Sequence, residues 1–217
     1  MQLIAQGVTY QYPRGDHQVL AGVDFDIPAG SSAAIIGPSG SGKTTLLSLM
    51  GQLLPSQEGS IHAVDADGRE YALSDAASWV LQTVSLLPDR TAVDNVAVGA
   101  HSAGVSRADA RARSLQCLAA VGLAGRENEP ARILSGGEAQ RVAIARALAS
   151  RRPIILADEP TGQLDARTSS TVLEAMIGAQ GERTVVIVTH DPEVAARCDV
   201  VLELRDGVIY DGASEAR

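Results

Sequence analysis

The sequence predicts an α/β fold: a mainly parallel sheet, antiparallel strands at its amino-terminal edge, and a helical lobe inserted in the middle. Three observations carry this. The apolar runs "SSAAIIG", "PIILADE", "TVVIVTH" and "DVVLEL" read as strands buried on both faces. Stretches with helical spacing separate them, and strands alternating with helices build a parallel sheet covered on both sides. From about residue 85 to 150 the pattern turns helical, in "SRADARARSLQCLAAVG" and "SGGEAQRVAIARALASRR".

Each element has a local reason. Segments 2–10 and 18–28 are apolar, β-favouring and joined across "PRGDH", which predicts antiparallel strands with a turn between them. "TTLLSLMGQLL" sets Leu46, Leu47, Met50, Leu53 and Leu54 at helical spacing, and Pro55 would end that helix. "DARTSSTVLEAMIGA" puts Val172, Leu173, Met176 and Ile177 on one helical face. The expected organisation is a single domain over 1–217. Within it, 1–84 and 151–217 form the α/β core with its edge strands, and 85–150 form the lobe.

Composition narrows the function. A hydrophobic fraction of 45% and a charged fraction of 20% are ordinary for a globular protein with an ample core. No apolar run approaches a bilayer span, and "MQLIAQGVTYQY" lacks the layout of a signal peptide, so the chain is expected in the cytoplasm. The net charge is −8 and the arginines are dispersed along the chain, which argues against nucleic acid as a partner. Cys117 and Cys198 match no metal-ligand spacing and read as reduced thiols.

Among the 18 basic residues the single lysine is Lys43, in "IIGPSGSGKTTLLSL". Gly37 to Thr44 fits the phosphate-loop pattern G-x-x-x-x-G-K-[ST], with a strand leading in and a helix leading out. Gly37, Gly40 and Gly42 let the backbone curl into an anion nest, and the helix start adds its positive dipole end. The lysine ammonium is compact enough to reach between β- and γ-phosphates, whereas a planar guanidinium is not. The Thr44 hydroxyl is suited to Mg²⁺.

Acids and amides complete a site. Asp158 and Glu159 end the apolar run Ile154–Ala157, where Asp158 suits Mg²⁺ and Glu159 suits an attacking water. His190 ends "TVVIVTH"; it reads equally as a polar strand terminus or as a group near the γ-phosphate. Gln82, between core and lobe, carries an amide able to ligate Mg²⁺ or water at a hinge. In "LSGGEAQR", Ser135 and Glu138 form a capping-box pattern with Ser135 as N-cap. Gly136 and Gly137 then leave the first-turn N–H groups bare, a second anion site.

These motifs in this order resemble the ATP-binding cassette (ABC) family over essentially the whole chain. "GPSGSGKT" is similar to its Walker A loop, "IILADE" to Walker B, "LSGGE" to its signature, Gln82 to the Q-loop, "TGQLD" to the D-loop, and His190 to the switch histidine. The resemblance implies a P-loop NTPase (RecA-like) core and a Mg²⁺-dependent ATPase in which Glu159, His190 and Lys43 serve hydrolysis. It implies ATP contacts from Gly37, Pro38, Ser39, Gly40, Ser41, Gly42, Lys43, Thr44, Thr45 and Gln82, and from an aromatic on adenine, with Tyr12 the candidate and Tyr10 its rival. Metal ligands would be Thr44, Gln82 and Asp158.

Such cassettes pair head to tail, so Ser135, Gly136, Gly137, Glu138 and Asp165 would act on nucleotide held by the partner copy. ATP would close the pair, hydrolysis would reopen it, and a transmembrane permease on a separate chain would hold it at the cytoplasmic face of the inner or plasma membrane. A nucleotide-gated signalling or cell-division protein of the same family is the alternative. "DEPTGQLD" and "SLLPDRTAVDNV" are most similar to the lipoprotein-release, macrolide-efflux and cell-division branch. Glu138, Gln163 and the Leu81/Thr83 pair around Gln82 depart from its commonest residues.

Overall fold

The computed structural model describes residues 1–13, 17–101, 105–178 and 183–211, with Asp211 as backbone only. In chain order it holds β1 (Gln2–Tyr10), β2 (Leu20–Ile27), β3 (Ser32–Ile36), α1 (Lys43–Met50), β4 (Glu58–Val64), β5 (Glu70–Tyr71), α2 (Leu73–Ala76) and β6 (Ala77–Val80). The helical stretch follows with α3 (Ala92–His101), α4 (Arg107–Ala120) and α5 (Gly136–Ala149). Strands and helices then alternate through β7 (Ile154–Asp158), α6 (Ala166–Ile177), β8 (Thr184–Val188), α7 (Pro192–Ala195), β9 (Val200–Arg205) and β10 (Val208–Asp211).

Two sheets result. One is antiparallel, in the order β2-β1-β4-β5; the other runs β10-β9-β3-β8-β7-β6. In the larger sheet β9, β3, β8, β7 and β6 are parallel neighbours, and only the edge strand β10 is antiparallel. The strands β7 and β8 are buried at every residue, which is why their sequences are continuous apolar runs rather than alternating ones. Antiparallel β1 and β2 bury alternate residues such as Leu3, Ala5, Val23 and Phe25.

The faces of the large sheet carry separate cores. One packs Ala33, Ile35, Leu156 and Val186 against α1 and the antiparallel sheet. The other packs Ile155, Ala157, Val185 and Ile187 against α3, α4, α5 and α6, so the helical stretch shares its core with the sheet. Burial at this depth contributes roughly 1.5–3 kcal/mol per large apolar side chain.

Two boundaries differ from the sequence reading. α1 stops at Met50 instead of continuing to Leu54, and Leu53 is 59% exposed. Gln52 takes a left-handed backbone (φ 57°), and the Leu53 and Leu54 N–H groups both donate to the Ser48 carbonyl. This closes the helix before Pro55 is reached. β8 ends at Val188, two residues before His190. Most of the "PRGDH" turn, residues 14–16, lies outside the described residues.

Candidate functional site

The carboxyl ends of β3 and β7 and the start of α1 surround a recess of about 380 Å³. Its walls include Tyr12, Lys43, Thr44, Gln82, Asp158 and Glu159, which the sequence separates by up to about 150 positions. Clefts beyond the carboxyl ends of parallel strands are where α/β sheets take ligands. Ser39, Gly40, Gly42 and Thr45 also border it. Pro38 and Ser41 line an adjoining recess, shared with Asp206 and Gly207.

The loop is held by close packing. A side chain at Gly37 would lie 2.2 Å from the Leu204 carbonyl oxygen, so no larger residue fits. Gly42 is the N-cap of α1 with φ 100°, a conformation that disfavours any Cβ. No side chain caps α1 and no acid sits in its first turn, so its opening N–H groups stay available to an anion. Lys43 Nζ donates to the carbonyls of Gly37 (2.8 Å) and Pro38 (2.9 Å), which curls the ammonium back over the loop.

Asp158 is 5% exposed, and its Oδ1 is buried without a hydrogen-bond partner. Burial pushes its carboxyl above the ordinary range, only partly offset by the Thr44 hydroxyl; Glu159 pushes the same way and Lys43 opposes it. An orphaned acidic oxygen beside a threonine hydroxyl is the donor set that a hard divalent cation satisfies. The residues present therefore fit Mg²⁺.

Glu159 follows β7 in a left-handed conformation (φ 47°), unusual for a residue with a Cβ and of the kind stored at functional sites. Its N–H bonds to the Val188 carbonyl at 2.9 Å, tying it to the end of β8. His190 Nδ1 lies 2.8 Å from Glu159 Oε1. This hydrogen bond and the glutamate charge hold the imidazole pKa above its ordinary value. The sequence left His190 open between two readings; the structure gives it a carboxylate partner.

The aromatic pair separates by burial. Tyr10 is 4% exposed and belongs to the core, so its ring is covered. Tyr12 is 42% exposed on the recess, edge-on to Tyr10, with its hydroxyl 3.0 Å from Thr45 Oγ1.

Ser135 to Glu138 lie apart from this recess, at the start of α5. The capping box is complete: Ser135 Oγ accepts from the Glu138 N–H (3.3 Å), and Glu138 Oε2 accepts from the Ser135 N–H (2.9 Å). The backbone and hydroxyl of Ser135 hold the Glu138 carboxyl below its usual range. The Gly136 and Gly137 N–H groups stand uncapped at the helix start. Asp165 is the N-cap of α6, accepting from the Thr168 N–H and hydroxyl (3.0 and 2.7 Å).

Sequence reasoning missed several supports. Arg126 pairs through Nη1 with Glu138 Oε1 at 2.9 Å and through Nη2 with Glu129 Oε2 at 2.6 Å, so a glutamate at 138 gains an ion pair. Gln163 and Leu164 lie against Gly136 and Gly137. Val19 and Val188 add apolar wall to the recess. Gln163 and Leu164 fall within "TGQLD", but no local pattern announces any of these contacts, which come from tertiary proximity.

A family model described as ABC transporter matches residues 20–162. The chain belongs to the ABC transporter family. The lipoprotein-releasing system ATP-binding protein LolD of Nitratidesulfovibrio vulgaris is 41% identical over 214 residues, covering 94% of this chain and 92% of that protein. The macrolide export ATP-binding/permease protein MacB of Bradyrhizobium diazoefficiens is 42% identical over 209 residues, 92% of this chain but 32% of that protein. The chain thus spans about a third of the length of such MacB relatives. Among solved structures, the dimeric post-hydrolysis state of the ATP-binding cassette MJ0796 bound to ADP and Pi superposes with a TM-score of 0.83 at 35% identity, covering 95% and 96% of the two chains. This ABC chain has the α/β cassette architecture its sequence predicts. No helix among the described residues is long and apolar enough to cross a membrane.

Proposed function

We propose that this cassette hydrolyses ATP in the Lys43–Glu159 recess and uses the cycle to drive a membrane permease on a separate chain. The observation that carries the reading is the meeting of the Lys43–Thr44 loop with the orphaned Asp158 oxygen and Glu159 in one recess, with Glu159 hydrogen-bonded to His190 of the adjoining recess. A separate permease is supported by near-complete coverage of LolD, named as an ATP-binding protein, and would hold the cassette at the cytoplasmic face.

In this reading, the loop N–H groups and Lys43 grip the phosphates, and Tyr12 turns its exposed ring to adenine. Thr44, Asp158 and Gln82 would hold Mg²⁺, which, when bound, spreads the charge of the phosphate oxygens. Glu159 uses Oε1 to hold His190 and its other oxygen to orient a water in line with the γ-phosphorus. As the water oxygen bonds to phosphorus, a proton passes to Glu159 and ADP leaves with the bridging electron pair. Lys43 balances the charge that develops.

Two copies would close head to tail, with the bare N–H groups at Gly136 and Gly137 of one reaching the γ-phosphate bound by the other. Dimeric neighbours at 35% identity support the pairing. The lobe at 85–150 would move as a unit relative to the 1–84 and 151–217 core, with Gln82 at the joint and Asp165 beside the partner's nucleotide. Glu159→Gln tests the assignment. The variant should retain ATP and dimerise while turnover falls about 100-fold or more; brisk turnover would remove Glu159 from its role.

A further inference from the structure

Dispersed in sequence, the arginines do not stay dispersed in the fold. Arg90, in the loop before α3, and Arg107 and Arg111, one turn apart on α4, converge on a recess of about 380 Å³. Asp94 and His101 of α3 complete its polar wall, over the buried Val93. None of the residues around the ATP recess borders it.

The three guanidinium groups are exposed and have no ion pair or hydrogen bond among the described residues. Other arginines contrast with them. Arg126 pairs with Glu129 and Glu138, Arg141 holds the Val121 and Gly122 carbonyls, and Arg146 holds the Ser85 carbonyl. Like charges gathered without partners repel one another, so this arrangement costs stability unless an anion offsets it. Asp94 supplies one negative charge, and its Oδ2 already accepts from the Thr91 hydroxyl at 2.7 Å. Counting the arginines and Asp94 alone, three arginines less one aspartate leave a local charge of +2 (3 − 1) in a chain of net charge −8.

We propose that this recess binds a phosphate-bearing dianion. The chemistry selects the class. A phosphomonoester carries a charge of about −1.5 to −2 and three terminal oxygens, enough for three guanidinium forks. A single carboxylate brings one charge and two oxygens, and would leave an arginine unpaired. Arginine is also the side chain whose planar donors match phosphate in bidentate fashion. The phosphate comes either from a soluble phosphomonoester or from a lipid headgroup of the membrane. The site is independent of the nucleotide recess and stands or falls separately from it.

The test follows arginine side-chain Nε–H signals in the full chain, which separates this site from phosphate binding at the Lys43 loop. Titration with glycerol phosphate should shift the Arg90, Arg107 and Arg111 signals saturably, and Arg107→Ala should weaken that binding about tenfold. Cosedimentation with phosphatidylcholine vesicles, with and without phosphatidic acid, distinguishes the sources. Retention only with phosphatidic acid, lost in Arg107→Glu/Arg111→Glu, assigns a headgroup; saturable shifts without vesicle retention assign a soluble phosphate. The charge-reversal variant should keep its basal ATPase rate, which reports that it is folded. Signals unmoved by both probes, or moved equally by acetate, overturn the proposal. So does protection of these arginines by an acidic segment of a membrane partner when neither phosphate probe moves them.

Discussion

His190 Nδ1 and Glu159 Oε1 lie 2.8 Å apart, across the ends of two neighbouring parallel strands. The carboxylate is largely covered while the imidazole stands in solvent, with side-chain exposures of 16% and 75%. The pair joins the acid that ends one buried strand to the residue just beyond the next, so ligand chemistry at either one is felt by the other.

The pair predicts a pH signature. The His190 pKa is raised by its hydrogen bond to Glu159 and by that residue's charge. A raised histidine pKa gives a contribution to stability that is complete below about pH 6.5 and is lost as pH rises through the folded value. In a proton NMR titration, His190 should titrate above 6.5 in the natural chain and drop toward 6.5 in Glu159→Gln. An unchanged midpoint would mean that the contact is not formed in solution.

Asp158 predicts a pH dependence of the same sign, from a penalty on its charged form rather than from a favourable contact. Its folded pKa is raised by burial, so between about pH 3.9 and that raised value the folded state binds more protons than the unfolded one. Without metal, stability therefore falls as pH rises through this window. Asp158→Asn should raise the melting temperature of the metal-free protein at neutral pH and abolish the gain from MgATP. Calorimetric melts with and without MgATP check both halves.

The start of α5 supplies a stability test. Ser135→Ala removes a hydroxyl that caps the helix and steadies Glu138, which costs about 1 kcal/mol. For a chain of this size the melting temperature should fall by roughly 2–4 °C. Glu138→Gln keeps the shape but gives up the charge facing Arg126, so a smaller fall is expected. Thermal melts at low and high salt separate the two, since only the ion pair weakens with salt.

Asn95 anchors the loop that leads into α3. Fully buried, it accepts from the Leu87 N–H (2.7 Å) and donates to the carbonyls of Leu87 (3.1 Å), Arg90 (3.3 Å) and Thr91 (3.0 Å). Asn95→Ala strands these groups and should destabilise by about 2–3 kcal/mol. Denaturant unfolding measures this.

Much of this was legible in the sequence, and the gaps have physical causes. The strands β3, β7 and β8 announce themselves because burial on both faces leaves continuous apolar runs. The Lys43 loop is legible because phosphate binding needs glycines and an ammonium at fixed spacing. The stop of α1 at Met50 was missed because a left-handed Gln52 does the work assigned to Pro55. Tyr10 and Tyr12 are equivalent in sequence, and only burial tells them apart. The convergence of Arg90, Arg107 and Arg111 depends on how α3 packs on α4, which no local pattern encodes.

The central claim is that Lys43 and its loop grip the phosphates of ATP with Mg²⁺ held against Asp158. Isothermal titration of ATP into the folded chain, with Mg²⁺ and with a chelator, tests it most directly. The account predicts saturable binding that weakens sharply in the chelator and is lost in Lys43→Ala. Binding of equal strength in Lys43→Ala, or no binding by the well-folded natural chain, would contradict it.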